Sequence, residues 1–248
     1  MPDQNPCPPH PVLPAYYENG SERAVFIRSI FDRTASYYDR INSIFSLGSG
    51  KWYRRWMLRT AGLRQGHTLL DVATGTGLVA QEAATLTAPA NIVGLDMSPG
   101  MLAECRRKLP IQVVQADAQA LPFAENSMDM LSMGYALRHV RDLNATFRGY
   151  LQVLKPGGNL LILEIGRARS PTVQAFLRFY LGKVVPFLSG VTASRESRTL
   201  MAYYWDTIEH CIPPEQILQN LKQAGFANVR KHTSFGVFHA YMATKGRD

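Results

Sequence analysis

Two glycines and an aspartate stand close together in the segment Leu-Leu-Asp-Val-Ala-Thr-Gly-Thr-Gly, residues 69–77. Gly75 and Gly77 follow an apolar run, so the backbone there can approach a ligand without a Cβ in the way. Asp71 lies inside that run, and Asp96 and Asp117 end the next two apolar runs. Ligands of open α/β sheets bind beyond the carboxyl ends of the strands. These residues therefore predict a site for a small polar ligand.

The acidic residues indicate which ligand this is. A carboxylate about 20 residues beyond a glycine loop, such as Asp96, can accept hydrogen bonds from both ribose hydroxyls. Asp117 can reach the exocyclic amine of adenine, and Asp71 can both meet a cationic amino-acid group and order the loop. S-Adenosylmethionine (SAM) has a ribose, an adenine and positive charge, and it carries no phosphate. We therefore predict SAM as the cofactor, with the alternative that each aspartate only caps a helix or turn.

Other ligands fit the loop less well. A P-loop would continue with Gly-Lys-Ser/Thr, which is absent, and the nicotinamide fingerprint is met only in its looser form ending at Ala80. Met97 can stack on an adenine face or fill the core. The cysteines, Cys7, Cys105 and Cys211, are far apart, and they predict neither a zinc site nor a disulfide framework.

Alternating apolar runs and amphipathic segments surround the loop. Strands are predicted over residues 67–73, 91–95, 111–115, 128–133, 159–165, 227–232 and 238–244, and the main helices of this part over 78–86, 98–109, 144–154 and 214–224. This order predicts an α/β, Rossmann-like fold, in which a seven-stranded, mostly parallel sheet has helices on both faces.

The rest of the chain is predicted to surround this sheet. Residues 1–20 are proline-rich and are expected to form a flexible tail, and residues 21–248 a single domain. Within that domain, residues 21–63 are expected to form an N-terminal helical lid. Residues 170–212 exceed what a crossover needs and are predicted to be a helical insertion, whose apolar run over 176–188 suits a lid, an isoprenoid groove or a membrane contact.

The formal charge of +8 admits several partners. The basic, aromatic stretch over residues 51–56 suits either a solvated surface or lipid headgroups. A nucleic-acid methyltransferase would carry an (Asn/Asp/Ser)-Pro-Pro-(Tyr/Phe) tetrapeptide or a cysteine after the fourth strand; residues 134–138 carry neither, so no nucleic-acid partner is predicted. No secretory signal or membrane-spanning run is recognised. We expect a cytoplasmic enzyme, with contact at the inner membrane and homodimerisation left open.

Several longer motifs carry a family resemblance. They are Tyr38-Asp39-Arg40-Ile41-Asn42, the glycine segment, Gly94-Leu95-Asp96-Met97-Ser98, Asp117-Ala118, Gly134-Tyr135-Ala136-Leu137-Arg138, Val153-Leu154-Lys155-Pro156-Gly157-Gly158 and Glu164. In these the chain resembles class I SAM-dependent methyltransferases, and more narrowly the ubiquinone/menaquinone biosynthesis C-methyltransferase family. The resemblance implies that Asp71, Ala73, Gly75, Gly77, Asp96, Met97, Asp117 and Ala118 form the SAM site. It also implies methylation of a polyprenyl benzoquinol or naphthoquinol at a ring carbon.

Three positions depart from the family pattern. Leu78 replaces an acidic residue, His139 replaces an asparagine, and residues 203–209 differ from the usual Tyr-Leu-Pro-Glu-Ser stretch. They keep two alternatives open: an O- or N-methyltransferase of another small aromatic, or a quinone-modifying paralogue that takes an amino group from SAM.

Catalysis is predicted at the end of the fourth strand. Arg138 is expected to stabilise a phenolate oxygen and His139 to act as a base, since imidazole titrates near neutral pH. The alternatives are an Arg138–Asp142 salt bridge and a structural His139. Five tyrosines are predicted to line a pocket for the aromatic ring or to fill the core: Tyr37, Tyr38, Tyr135, Tyr203 and Tyr204.

Overall fold

The computed structural model describes residues 6–46, 48–168, 170–180, 184 and 195–247. The first five residues of the predicted tail and part of the predicted insertion, residues 181–183 and 185–194, lie outside this set. Among the described residues, no helix is long and apolar enough to cross a membrane.

One twisted sheet runs through the molecule. Its strands are β1 (Leu69–Val72), β2 (Ile92–Asp96), β3 (Gln112–Gln115), β4 (Met128–Gly134), β5 (Leu154–Ile165), β6 (Ala227–Ser234) and β7 (Phe238–Thr244). Their order is β3-β2-β1-β4-β5-β7-β6. The pairs from β3 to β5 are parallel, and β7 runs antiparallel to both β5 and β6. The predicted seven-stranded, mostly parallel sheet is confirmed.

This strand order positions the site. β1 and β4 are neighbours at the centre, and the chain steps outward from β1 through β2 to β3 on one side. The carboxyl ends of β1, β2 and β4 therefore open into one crevice, because the order of connection reverses between β1 and β4. All four residues of β1 are buried, as expected of a strand covered on both faces.

Helices cover the sheet and its carboxyl edge. They are α1 (Gly20–Phe45), α2 (Gly50–Thr60), α3 (Leu78–Ala83), α4 (Pro99–Lys108), α5 (Leu143–Val153), α6 (Pro171–Phe179), α7 (Arg195–Glu209) and α8 (Pro214–Gln223). The predicted start of α4 is confirmed: the Ser98 hydroxyl accepts from the Met101 backbone N–H at 3.1 Å, with Pro99 in the first turn.

Strand β5 begins earlier than predicted. Leu154, predicted as the last residue of a helix, and residues 155–158, predicted to close that helix, already belong to β5, and the register with β4 shifts between Met128 and Met130. Such a shift accommodates extra residues in one strand, and Gly157 provides the positive φ of 77°.

The prediction of a flexible tail over residues 1–20 needs correction for the described part. Residues 7–17 pack against the body of the domain, where the Ile212 backbone N–H donates to the Pro9 carbonyl at 2.8 Å. Tyr17 is only 3% exposed and belongs to a small apolar cluster with α1 and α7. The prolines fix an extended path that the apolar side chains between them anchor.

Candidate functional site

A cavity of about 880 Å³ lies at the carboxyl ends of β1, β2 and β4, below α1. Six of the eight residues predicted for the SAM site line it: Ala73, Gly75, Asp96, Met97, Asp117 and Ala118. We refer to it as the cofactor cavity.

Asp96 is the central acceptor of the cofactor cavity. Its Oδ2 accepts the Gly75 backbone N–H at 2.8 Å, and its Oδ1 accepts the Ser98 backbone N–H at 2.9 Å. These bonds fix the carboxylate at the end of β2 and leave lone pairs for further donors. Burial raises the pKa of Asp96 to about 6, against the lowering effect of the two backbone donors. The geometry fits a pair of vicinal hydroxyls, as in ribose.

Asp71 acts on the loop and not on the cavity. The Thr74 hydroxyl donates to its Oδ2 at 2.7 Å, and the Ser132 hydroxyl of β4 donates to its Oδ1 at 2.6 Å. Burial raises its pKa to about 6. Asp71 is not among the residues that line the cofactor cavity. Of its two predicted roles, ordering of the loop fits this geometry better than contact with a cationic ligand.

Gly77 also stabilises the conformation of the loop, at a position outside the cofactor cavity. It begins α3 with a positive φ of 88°, and a Cβ there would lie 2.7 Å from Leu109 Cδ1 and 2.9 Å from Cys105 Sγ. Gly77 is absent from the cavity lining. The second glycine of the motif is thus required by the packing of the loop on α4.

Asp117 closes the far end of the cofactor cavity. Its Oδ1 accepts the Gln119 backbone N–H at 2.9 Å, and its Oδ2 pairs with Arg141 at 3.0 Å. Both members of this ion pair line the cavity and are partly exposed. The remaining lone pairs of Asp117 can accept from an exocyclic amine.

A second cavity, of about 950 Å³, lies beside the first between α1, α2 and α7. Most of its lining residues are apolar or aromatic, including Ile41, Met201, Ile208 and Phe238. Tyr38 and Tyr135 line both cavities, so the two meet at these side chains. We refer to it as the ring cavity, since it suits a flat apolar molecule.

The predicted tyrosines separate into two groups. Tyr38, Tyr135 and Tyr204 line the ring cavity, and the Tyr204 hydroxyl donates to the Tyr38 hydroxyl at 2.7 Å. Tyr37 and Tyr203 do not line it. Tyr203 is fully buried and stacks on His139, with ring centroids 5.4 Å apart, so packing accounts for it.

Arg138 is a buried cation whose counter-ion is Glu164. Its side chain is 2% exposed and forms an ion pair with Glu164, a partner other than the Asp142 considered from the sequence. Its Nε donates to the Thr207 hydroxyl at 3.1 Å, and its guanidinium lies 5.1 Å from the Tyr204 ring centroid. Burial lowers the pKa of Arg138, but the charge of Glu164 outweighs it and the net direction is upward. Arg138 lines the ring cavity, and its Nη2 has no hydrogen-bond partner among the described residues.

His139 lines the cofactor cavity. Its Nδ1 lies 3.1 Å from the Tyr203 hydroxyl, and its Nε2 is buried without a partner among the described residues. Burial and the positive charge of Arg138 lower the pKa of His139 well below 6.5. This lowering makes the imidazole a weaker proton acceptor than the sequence argument assumed, because that argument relied on titration near neutral pH.

Arg23 of α1 was not predicted, although it lines the cofactor cavity. Its Nη2 donates to the Arg138 carbonyl at 2.9 Å and lies 2.8 Å from His10 Nε2. Burial, followed by the charge of Arg23, lowers the pKa of His10 to about 4, so this imidazole is neutral and accepts the bond. The interaction ties residues 7–17 to the wall of the site.

Arg54 of α2 was not predicted as a site residue and belongs to the basic, aromatic stretch over residues 51–56. It is buried, lines the ring cavity, and borders a third cavity of about 340 Å³ beside the glycine loop. The apolar residues Met57 and Leu58 follow it by three and four positions, so Arg54 lies on the same face of the helix, and this face is buried. That spacing is the sequence signal that could have identified it.

Sequence comparison relates the whole domain to known methyltransferases. The model of the ubiE/COQ5 methyltransferase family matches residues 18–245. A demethylmenaquinone methyltransferase of Lactiplantibacillus plantarum is 31% identical over 231 residues, which cover 88% of this chain and 95% of the relative. One from Chlorobaculum parvum is 34% identical over 228 residues, covering 88% and 92%. A ubiquinone/menaquinone biosynthesis C-methyltransferase of Idiomarina loihiensis is 31% identical over 217 residues, covering 84% and 86%.

Solved structures with the same fold are more distant in sequence. A possible histamine N-methyltransferase of Thermotoga maritima gives a TM-score of 0.62 at 17% identity, covering 88% of this chain and 99% of that one. A SAM-dependent methyltransferase from Aquifex aeolicus gives a TM-score of 0.58 at 16% identity, covering 82% and 97%. At these identities the likeness shows the fold alone.

Proposed function

The chain belongs to the ubiE/COQ5 methyltransferase family, and on that premise we propose that it methylates a ring carbon of a polyprenyl quinol with SAM as the methyl donor. The observation that carries the proposal is the junction of the two cavities. A cavity that carries two carboxylates able to accept from an adenosine meets a cavity lined mostly by apolar and aromatic residues, and Tyr38 and Tyr135 belong to both. A methyl donor in one and a ring in the other would meet at these tyrosines.

The residues of the cofactor cavity fit SAM. Asp96 would accept the ribose hydroxyls, Asp117 the adenine amine, and Met97 would cover the adenine face. When bound, SAM supplies an electrophilic methyl group for in-line displacement by a carbon nucleophile. Holding the two reactants on one axis can contribute roughly 7–11 kcal/mol to lowering the barrier.

Arg138 is the group that would activate the ring. A quinol carbon becomes nucleophilic when a neighbouring hydroxyl loses its proton, here to solvent water, and a fixed cation stabilises the resulting phenolate. Glu164 and Thr207 hold the guanidinium in place, and Nη2 is left for an oxygen in the ring cavity. Glu164 offsets part of the positive charge of Arg138, so the phenolate would be stabilised mainly by a direct N–H···O bond from Nη2.

The tyrosine pair would place the ring. The Tyr38 hydroxyl accepts from Tyr204, so its own O–H is available as a donor toward a ring oxygen. Burial raises the pKa of Tyr204 well above 10, which keeps it protonated and makes it a donor throughout the physiological range. His139, neutral and facing the cofactor cavity, fits a positioning role better than that of the base.

Methyl-labelled SAM offered with reduced demethylated benzoquinol and naphthoquinol tests the proposal. We expect a gain of one labelled methyl on a ring carbon, located by fragmentation in mass spectrometry. Label on oxygen or nitrogen would favour the O/N-methyltransferase alternative. A quinone that gains an amino group and no label would favour the amino-transfer alternative.

We also propose that the ring cavity opens toward a bilayer, where the polyprenyl tail of the substrate would remain. Two large aromatic residues at its lining are exposed, Trp52 by 65% and Phe235 by 87%, and Trp52 stacks on Trp56 beside the basic residues of α2. The double variant Trp52→Ser/Phe235→Ser should lose co-sedimentation with anionic vesicles. Val25→Ser, at another exposed apolar residue, should retain it. Equal binding by both variants would contradict this surface.

A further inference from the structure

Arg54 is a buried cation with no counter-ion among the described residues. The residue is 5% exposed, and its Nε is buried without a hydrogen-bond partner. Its guanidinium makes a cation–π contact with Tyr135, whose ring centroid lies 5.7 Å from the guanidinium carbon. The next residue, Arg55, pairs with Glu82 at 2.8 Å.

Such a cation is costly to a folded protein without a ligand. A buried charge is stable only when an opposite charge or several hydrogen bonds compensate for its lost hydration. The residues that line the ring cavity and the third cavity include no aspartate or glutamate. Arg138, the other arginine on these walls, already pairs with Glu164. The unmet charge of Arg54 therefore indicates an anionic group that arrives with a ligand.

The third cavity indicates which ligand this is. Thr74, Gly75 and Thr76 of the glycine loop form one side of it, and Arg54 lies on its lining. Ala73 and Gly75 also line the cofactor cavity, so the two spaces are continuous along the loop. A SAM molecule whose ribose binds Asp96 would extend its amino-acid part along this path.

We propose that Arg54 binds the α-carboxylate of the amino-acid part of SAM. The inference rests on the proposed use of SAM and adds an anchor for the end of the cofactor opposite the adenine. A guanidinium matches a carboxylate through two parallel N–H···O bonds. With Arg54 holding this end and Asp96 the ribose, the sulfonium between them is fixed at the junction with the ring cavity.

Ligands with and without the carboxylate test the assignment. S-Adenosylhomocysteine carries the amino-acid part, and 5′-methylthioadenosine lacks it. Isothermal titration calorimetry with Arg54→Met should give about a 10- to 100-fold weaker affinity for S-adenosylhomocysteine. The affinity for 5′-methylthioadenosine should stay within about twofold. Arg54→Lys should recover part of the loss, because a single charged donor remains.

Arg59→Met is the matched control, since Arg59 is an exposed arginine of the same helix. It should bind both ligands as the unmodified protein does. Retained binding of 5′-methylthioadenosine also demonstrates that Arg54→Met is folded. The melting temperature of ligand-free Arg54→Met should be unchanged or higher, because the substitution removes an unpaired buried charge.

The outcomes separate the inference from the function on which it rests. If the unmodified protein binds neither ligand, the SAM site itself is wrong. If Arg54→Met binds S-adenosylhomocysteine as tightly as the unmodified protein, the carboxylate assignment is overturned. In that case, a raised KM for the quinol would mean that Arg54 contacts a ring oxygen instead.

Discussion

Removing one partner of the buried ion pair Arg138–Glu164 should lower the free energy of unfolding by more than the intact pair contributes to it. Both side chains are 2% exposed, so removal of either leaves a charge out of water without its partner. We expect Glu164→Gln and Arg138→Met each to lose about 3–5 kcal/mol of unfolding free energy. At about 2–4 °C per kcal/mol for a chain of this size, the melting temperature should fall by roughly 6–20 °C.

The double variant separates the charge from the packing. In Arg138→Met/Glu164→Gln no unpaired charge remains, and the one oxygen of glutamine can keep one of the two backbone N–H groups, of Arg138 and Ile165, that the two oxygens of Glu164 now satisfy. It should therefore be at least as stable as either single variant, with a coupling energy of at least about 2 kcal/mol. Denaturant unfolding of the four proteins gives this value.

Activity should follow a different order from stability. Glu164→Gln keeps the guanidinium and its bond to Thr207, so we expect kcat to fall by less than about tenfold. Arg138→Met and the double variant lack the donor to the ring oxygen and should lose about 10²- to 10³-fold, comparable to removal of one oxyanion donor. A double variant that recovers both stability and kcat would refute a chemical role for Arg138. Additive losses of stability would refute the description of the pair as a buried ion pair.

Further predictions concern the cofactor cavity and its loop. Asp96→Asn should weaken S-adenosylhomocysteine binding about 10- to 100-fold by calorimetry, because an ionised acceptor of the ribose hydroxyls is lost. In the unmodified protein that affinity should decrease as the pH falls through about 6, where the Asp96 carboxylate takes up a proton, and Asp96→Asn should flatten this dependence. At saturating SAM, the pH profile of kcat should be the same for His139→Gln as for the unmodified enzyme, because the His139 pKa lies well below 6.5; loss of a limb near 6.5 in the variant would restore His139 as the base. Gly77→Ala should lose about 2–4 kcal/mol of unfolding free energy and Gly66→Ala about 1, since both have a positive φ but only Gly77 lacks room for a Cβ.

The sheet could be predicted because its signals are local. Each apolar run of β1 to β4 is bounded by glycine, proline or acidic residues, and the alternation with helices fixes parallel pairing and a right-handed connection. The early start of β5 could not be predicted in the same way. Its first residues, Leu154 to Gly158, have the composition of a loop, and their strand conformation depends on contacts with Met128 of β4 and with Lys245, just after β7, that are distant in sequence.

The candidate site was predictable where a residue type and a strand end coincide. Asp96 and Asp117 satisfy both conditions and line the cofactor cavity. Asp71 lies within β1, one residue before its end, and its oxygens are occupied by Thr74 and Ser132. A strand end places a side chain near a ligand, but the hydrogen bonds of its neighbours decide whether it remains available.

The partners of three arginines could not be predicted from the sequence, because a count of charges does not reveal which of them are paired. The ion pair considered for Arg138 as an alternative was with Asp142, four residues on, whereas its partner in the structure is Glu164 of β5. Arg23 contacts His10 in a segment that composition alone assigns to a tail. Arg54 has the same residue type as its basic neighbours, and its burial without a described counter-ion distinguishes it in the structure, as its spacing from Met57 and Leu58 does in the sequence. Most of the charged side chains that make up the net charge of +8 belong to the surface. The positive charge of Arg54 lies in the interior, where an anionic ligand is the partner that would stabilise it.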